Sequence, residues 1–552
     1  MTKINKTRQQ PLEDTNRQKG AHANFMGGMS YDLTPLVRLQ CMAASCFFGE
    51  PQYYKRDQTD TSPKRYDRYV DREALTDKDV EHLANMLDEM NPREWRSLTP
   101  AQSLERAIDE ALEYDAGATL EYAITLREQE HIRATPQVII VRAANRKDLK
   151  GTGLIREYNQ RILGRLDEVS TQAAYQLATY GKPIPNCLKR SWADRLKRAK
   201  GYELAKYRME GRDVKTVDAA NLAYGKGFYG YQNDLGRLMR GELSLGEDHQ
   251  TWESIRSGGG TWEDAVEVMG HMALLRNLRN LAENKVDPDR YVQRFLDGAE
   301  NGKQLPFRYY SAYRQIEGKA PARVLDAVEQ AMEQSVGNLP YLPGKSCILT
   351  DNSGSAQCTT TSSMGTMRVS TIGNLMGVLT GKASDEAGIG VFGDRLEWVP
   401  VQKKRSTFDI LKDCEHKAQR IGGGTEHGIW LALDQLIKHN QWVDNLFIYS
   451  DMQAGHGGLY GHGVPEKWVW GDKRHYGPDY VDVPKLIREY RNRVNPKVNV
   501  FCVQTAGYED TLIPEFYKRT YILGGWSDKI LHFAERMIRI QNQLDGKEQQ
   551  AA

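Results

Sequence analysis

Beyond Pro343-Gly344 the chain falls into short apolar runs that alternate with amphipathic ones, and few folds accommodate that order. The turn Leu339-Pro340-Tyr341-Leu342-Pro343-Gly344 ends a long helical stretch, and Ser346-Cys347-Ile348-Leu349-Thr350 follows it as a strand. After it the spacing predicts a helix near 366–380, strands at 387–392 and 396–401, and helices near 407–420 and 426–439. A strand at 445–450, a helix near 482–493, a strand at 498–504 and a closing helix near 527–541 complete the order. Such alternation predicts a mostly parallel sheet covered on both faces, a Rossmann-like α/β domain over 344–541.

In open α/β sheets ligands gather beyond the carboxyl ends of strands, where strand order reverses. Asp351-Asn352-Ser353-Gly354-Ser355 follows the first strand, Gly422-Gly423-Gly424-Thr425 precedes a helix, and Asp451 follows the strand ending at Ser450. Asp351, Ser353, Ser355, Thr425 and Asp451 therefore offer two carboxylates and three hydroxyls. An all-oxygen set without Cys or His selects a hard divalent cation, Mg²⁺ ahead of Mn²⁺ or Ca²⁺. Neutral hydroxyls leave such an ion with residual positive charge, so an outside carboxylate or phosphate oxygen can complete its shell. The aspartate–serine run alone is ambiguous, because such residues after a strand often merely cap the next helix; it is the combination with Thr425 and Asp451 that points to a metal. The pattern resembles the metal-ion-dependent adhesion site (MIDAS) of von Willebrand factor A domains. The glycine-rich run lacks the Lys-Ser/Thr ending of a nucleotide-binding loop, and His456, His462 and His475 match no familiar ligand spacing and read as an exposed loop.

Residues from about 30 to 335 read almost entirely as helices, with apolar positions recurring at three and four along VEHLANMLDEM, SLERAIDEALEY and RVLDAVEQAMEQSV. A run this long and strand-poor suggests stacked helix pairs, although no fixed sequence period is visible. Residues 1–20 and 542–552 lack apolar periodicity and read as flexible ends.

With 75 Lys plus Arg against 73 Asp plus Glu, only a local patch can attract a polyanion. One stands out: between Pro183 and Lys215, basic residues cluster with Trp192, Tyr202 and Tyr207 interleaved and few acids. Lys189, Arg190, Lys197, Lys206, Arg208 and Lys215 are candidate phosphate contacts and Trp192 a candidate base-stacking ring. A solvated helix face over buried aromatics would have the same composition. The segment HMALLRNLRNLAEN reads as a core helix through Met272, Leu275, Leu278 and Leu281, with Arg276 and Arg279 about a turn apart.

The run Met272–Leu278 (MALLRNL) closely resembles the signature of the TROVE module of Ro autoantigen proteins. Asn24–Gly28 resembles the module's Asn-x-x-Gly-Gly element, Leu36–Leu39 followed by Tyr53-Tyr54 its next helix and loop, and Tyr180-Gly181-Lys182 the approach to a basic helix. A TROVE-like region over 21–343 followed by an A-type domain is the Ro order, and the chain resembles a bacterial or phage member. The resemblance implies a ring of HEAT-like helical repeats closed by the A-type domain. It further implies binding of Y-like small noncoding RNA on an outer basic surface, passage of single-stranded ends of misfolded RNA through the centre, and an exoribonuclease tethered through the RNA. Arg276 is a candidate RNA contact on this ground. The chain departs from the family at Met452-Gln453, where Asn-Glu is usual, at Val214, where a His is expected, and around Phe48-Gly49-Glu50-Pro51.

No GxSxG, HExxH or Cys/His signature is present, so the expected activity is binding in a ribonucleoprotein for RNA quality control, not catalysis. A nuclease built on Asp351 and Asp451 would lack an evident base to activate water. The rival is a metal-dependent protein adhesion scaffold in which the basic run is incidental. Seven scattered cysteines, an N-terminus without an apolar core and no run of about 18 apolar residues lead us to expect a soluble, cytoplasmic protein with reduced thiols; a monomer is also expected.

Overall fold

The computed structural model describes residues 22–23, 29–30, 34–45, 100–243, 250–358, 367–423, 427–450, 458–460, 464–469, 480–505, 519–524, 527 and 529–551. The expected helix VEHLANMLDEM, the Asn24–Gly28 element, Tyr53-Tyr54, the Phe48–Pro51 departure, the three candidate loop histidines and Met452-Gln453 lie outside these residues.

From Pro35 to Val336 the described chain is helical apart from one two-residue strand pair ahead of it at His22–Ala23 and Met29–Ser30. SLERAIDEALEY lies in the helix Pro100–Tyr114, and its apolar stripe Leu104, Ala107, Ile108, Ala111 is wholly buried. Successive helices pack on near neighbours, as a stack of helix pairs does: Ala116–Glu128 on Ala134–Ala144, Asn186–Lys197 on Leu154–Ile162 and Thr216–Tyr224, and Pro306–Ile316 on Ala322–Val336.

The α/β domain carries six strands: β1 (Leu342–Asp351), β2 (Ser384–Phe392), β3 (Leu396–Pro400), β4 (Asn445–Ser450), β5 (Asn499–Gln504) and β6 (Thr520–Gly524). Their order is β6-β5-β4-β1-β2-β3, parallel throughout except for the antiparallel edge strand β3. The helices Val369–Ala383, Thr407–Ala418, Ile429–Lys438, Val483–Arg493 and Ile530–Ala551 agree with the sequence reading to within a few residues, the last running further than expected. Missed were β6, the short helix Gly354–Cys358 and a small antiparallel pair, Gly458–Tyr460 with Tyr480–Asp482.

Both sheet faces are covered, and side chains alternate between them with the two-residue period of a strand. Ile348 and Phe447 enter the core shared with Val369–Ala383 and Ile530–Ala551, whereas Leu349 and Ile448 enter the core under Ile429–Lys438 and Val483–Arg493. Both ends of the described helical array meet this one domain. The first helix, Pro35–Ser45, packs on β6 and on Ile530–Ala551, with the Ser527 hydroxyl donating to the Ala44 carbonyl at 2.7 Å. Arg536 of the last helix pairs with buried Glu130 of the array. At the other end, Glu333 of Ala322–Val336 pairs with buried Lys382 at 3.3 Å and accepts from the Thr407 backbone N–H. The array is thus closed through the α/β domain, as a ring requires.

Among the described residues no helix is long and apolar enough to cross a membrane. Cys187, Cys347, Cys414 and Cys502 are free thiols. Burial pushes Cys41, Cys347 and Cys414 up to about 12, which keeps them protonated and unreactive at neutral pH.

Candidate metal centre and nucleic-acid interface

All strands but β3 run the same way, so Asp351, Phe392, Ser450 and Gln504 share one edge of the sheet. The chain moves from β1 to β2 on one side and later to β4 on the other, which makes the β1/β4 crevice the point where strand order reverses. Asp351 ends β1 at that point and is buried. Its Oδ1 accepts the Ser353 N–H at 2.9 Å, and its Oδ2 accepts the Ser450 hydroxyl at 2.6 Å. The carboxylate is therefore fixed from both sides before any ion arrives.

The serine hydroxyls converge: Ser353 Oγ and Ser355 Oγ stand 3.1 Å apart. Two neighbouring oxygens of an octahedral shell at about 2.1 Å from Mg²⁺ are separated by about 3.0 Å, so the pair fits adjacent ligand positions. The glycine loop reaches the same turn through its main chain, where the Gly354 N–H donates to the Gly423 carbonyl at 2.6 Å. Gly422 is required there: its φ is +87°, and a Cβ would lie 1.9 Å from an Asp394 carboxylate oxygen. Thr425 and Asp451 lie outside the described residues; their described neighbours Gly423 and Ser450 both bond to the aspartate–serine turn.

Sequence reasoning overlooked the residues that hold this turn. Asn352 and Asn374 exchange side-chain hydrogen bonds at 3.0 and 2.8 Å, both buried. Gln357 donates to the Asn352 carbonyl at 2.6 Å and to the Ala418 carbonyl at 3.1 Å, tying the turn to the helix Thr407–Ala418. An amide at Asn352 directly after the aspartate was the available signal.

The basic run begins with the helix Asn186–Lys197, entered at Pro185. Its inner face is Leu188, Trp192 and Leu196, all fully buried. This corrects the reading of Trp192 as a stacking ring: it is 0 % exposed, and its indole N–H donates to Gln172 at 2.7 Å inside the array. Arg195 is likewise turned inward, paired with Glu203 at 2.6 Å.

On the other face Arg190 and Lys197 are exposed and Lys189 half-buried, and none has an ion-pair partner among the described residues. Lys197 Nζ lies 5.4 Å from the centroid of the Tyr224 ring, and Lys206 Nζ lies 5.4 Å from Tyr202 and 5.6 Å from Tyr207. Arg208 is half-buried, while Lys215 is paired with Glu210 at 3.1 Å and so is partly neutralised. Tyr224 and Lys226, beyond the basic run in sequence, were missed. They join it because Thr216–Tyr224 packs against Asn186–Lys197.

Arg276 is exposed and unpaired among the described residues, but on another part of the array: its helix, His271–Glu283, packs on Val292–Glu300 and Pro306–Ile316. Leu274, Leu275, Leu278 and Leu281 form that helix's core stripe; Met272 does not belong to it and is exposed. Arg279 lies near Glu283 at 3.8 Å.

These features define a two-part class: a helical array with an outward basic face, closed by a doubly wound domain with an aspartate–serine turn at its switch point. No family model matches the chain, and none of the curated proteins does. Among solved structures it is similar to the crystal structure of the Deinococcus radiodurans Ro (RSR) protein, with a TM-score of 0.58 and 14% identity over 78% of this chain and 93% of that one. The two share a fold across nearly the whole of that protein.

Proposed function

We propose that this chain is a Ro-type RNA-binding scaffold without catalysis of its own, acting in the cytoplasm. Its partners are a Y-like small noncoding RNA and the single-stranded ends of structured or misfolded RNA, with an exoribonuclease held through the RNA. The observation that carries this reading is the one-sided helix Asn186–Lys197. Core residues fill its inner face, and Lys189, Arg190 and Lys197 stand outside it without acidic partners among the described residues. Unneutralised cations beside exposed tyrosines attract phosphates and release their counterions, so affinity falls steeply with salt. The shared fold and the MALLRNL resemblance support the same reading.

Asp351, Ser353 and Ser355, with Thr425 and Asp451, would hold one Mg²⁺ or a similar hard cation. Bound there, the ion supplies an open coordination position for an outside carboxylate or phosphate oxygen. The protein's own contribution is to orient Asp351 through Ser353 and Ser450 and to fix the turn through Asn374 and Gln357. The test is binding of the full chain to a structured RNA with a single-stranded tail. Simultaneous charge reversal at Lys189, Arg190 and Lys197 is expected to weaken it strongly; unchanged affinity at moderate salt retires the assignment.

A further inference from the structure

We infer that Tyr224 is a stacking platform for one unpaired base, so that the basic face prefers RNA with an extruded nucleotide over an unbroken duplex; this rests on the RNA-binding reading above. The ring is 50 % exposed on a molecule that buries Trp192 completely nearby. It is also held in place. Phe228, fully buried, lies 4.9 Å away at 48°, and the chain at Gly227 passes so close beneath that a Cβ there would sit 1.9 Å from the ring. Gly225, at φ +58°, makes the reversal that brings Gly227 back to the ring. Glycine at both positions lets the loop support a flat aromatic surface facing solvent.

Two lysines accompany this ring. Lys197 Nζ stands 5.4 Å from the ring centroid, and exposed Lys226 in the supporting loop has no ion-pair partner among the described residues. Tyr229, also exposed, follows in the same turn. A half-exposed ring with the Lys197 ammonium over it and Lys226 in its supporting loop matches a base with its adjoining phosphates. A continuous A-form duplex presents phosphates, hydroxyls and base edges but no base face, so it would use the lysines and leave Tyr224 idle. A bulged or single-stranded nucleotide would use both.

The experiment titrates the full chain with a blunt RNA duplex and with the same duplex carrying one bulged 2-aminopurine. The wild type is expected to bind the bulged RNA more tightly and to quench the 2-aminopurine. Tyr224→Ala should weaken the bulged complex by about 5- to 150-fold and abolish the quench, with duplex affinity unchanged. Tyr224→Phe, which keeps the ring, should retain the preference, and Gly227→Val, which must displace it, should behave as Tyr224→Ala. Equal losses on both RNAs, no loss on either, or quenching that survives Tyr224→Ala would overturn the inference. If charge reversal at Lys189 and Arg190 weakens both RNAs while Tyr224→Ala weakens neither, RNA binding stands and the platform falls. If the wild type binds neither RNA, both fall.

Discussion

The Ser450 hydroxyl donates to Asp351 Oδ2 at 2.6 Å, joining the last residues of β4 and β1 across the sheet's switch point. Ser450 immediately precedes Asp351's expected co-ligand Asp451 in the chain, so the bond ties Asp351 to the strand that leads to Asp451. A hard cation bound here would select the folded state. At about a hundredfold excess over its dissociation constant it would add roughly 2.7 kcal/mol, or roughly 5–10 °C in melting temperature for a domain of this size. We expect Mg²⁺ or Mn²⁺ to raise the melting temperature of the wild type and a chelator to reverse the effect. Asp351→Asn and Ser355→Ala should lose the response. An equal rise in both variants would remove the metal centre from the protein.

Reversing Lys189, Arg190 and Lys197 tests the electrostatic face by its salt dependence as well as by affinity. The slope of log affinity against log salt is expected to shrink by about 0.9 for each duplex phosphate that the variant no longer neutralises. Weaker binding with an unchanged slope would mean that the substitutions act through the fold. Lys215→Ala, already paired with Glu210, should alter the slope less than Lys197→Ala.

Trp192→Ala is expected to cost about 3–5 kcal/mol in urea unfolding, because it empties a fully buried site and removes a buried hydrogen bond to Gln172, whose Oε1 then keeps only the Asn159 amide as donor. Trp192→Phe, smaller and still apolar, should fold and bind RNA as the wild type does. A selective loss of RNA affinity in the folded Phe variant would restore the ring to the interface.

The difference between Trp192 and Tyr224 marks what could be read in advance. Leu188, Trp192 and Leu196 recur every four residues, the spacing of one buried helix face, and that signal sat inside the basic run while composition drew attention to its charges. Tyr224 carried no comparable signal. Its approach to Lys197 arises from packing of two helices separated in sequence, which periodicity cannot supply. The strands β1, β4 and β5 were legible because each is a dense apolar run in the sheet's interior. β6 was not: Thr520–Gly524 is a short edge strand following a stretch without clear pattern. In the metal centre the aspartate and serines announced themselves by spacing, whereas Asn374 and Gln357 act through tertiary contacts with the turn.

Acid should weaken the fold through His271. Its Nδ1 lies 3.0 Å from the Phe295 carbonyl and its Nε2 2.7 Å from the Tyr309 hydroxyl, so the neutral ring donates through Nδ1 and accepts through Nε2. Burial pulls its pKa below the ordinary histidine value, outweighing the opposing hydrogen bond to Phe295. His131 shifts the same way, through burial and the nearby charges of Lys529, Lys303 and Arg127. With folded pKa values below the unfolded ones, the unfolded chain takes up protons first as pH falls. The stability these groups contribute is complete above about pH 6.5 and is lost as pH drops below it toward the folded values. We expect the urea midpoint of the wild type to fall between about pH 7.5 and pH 5.5. His271→Gln keeps a donor and an acceptor but cannot titrate. It should begin from a lower midpoint and decline less over the same range, and parallel profiles for the two proteins would clear His271 of any part in the acid sensitivity.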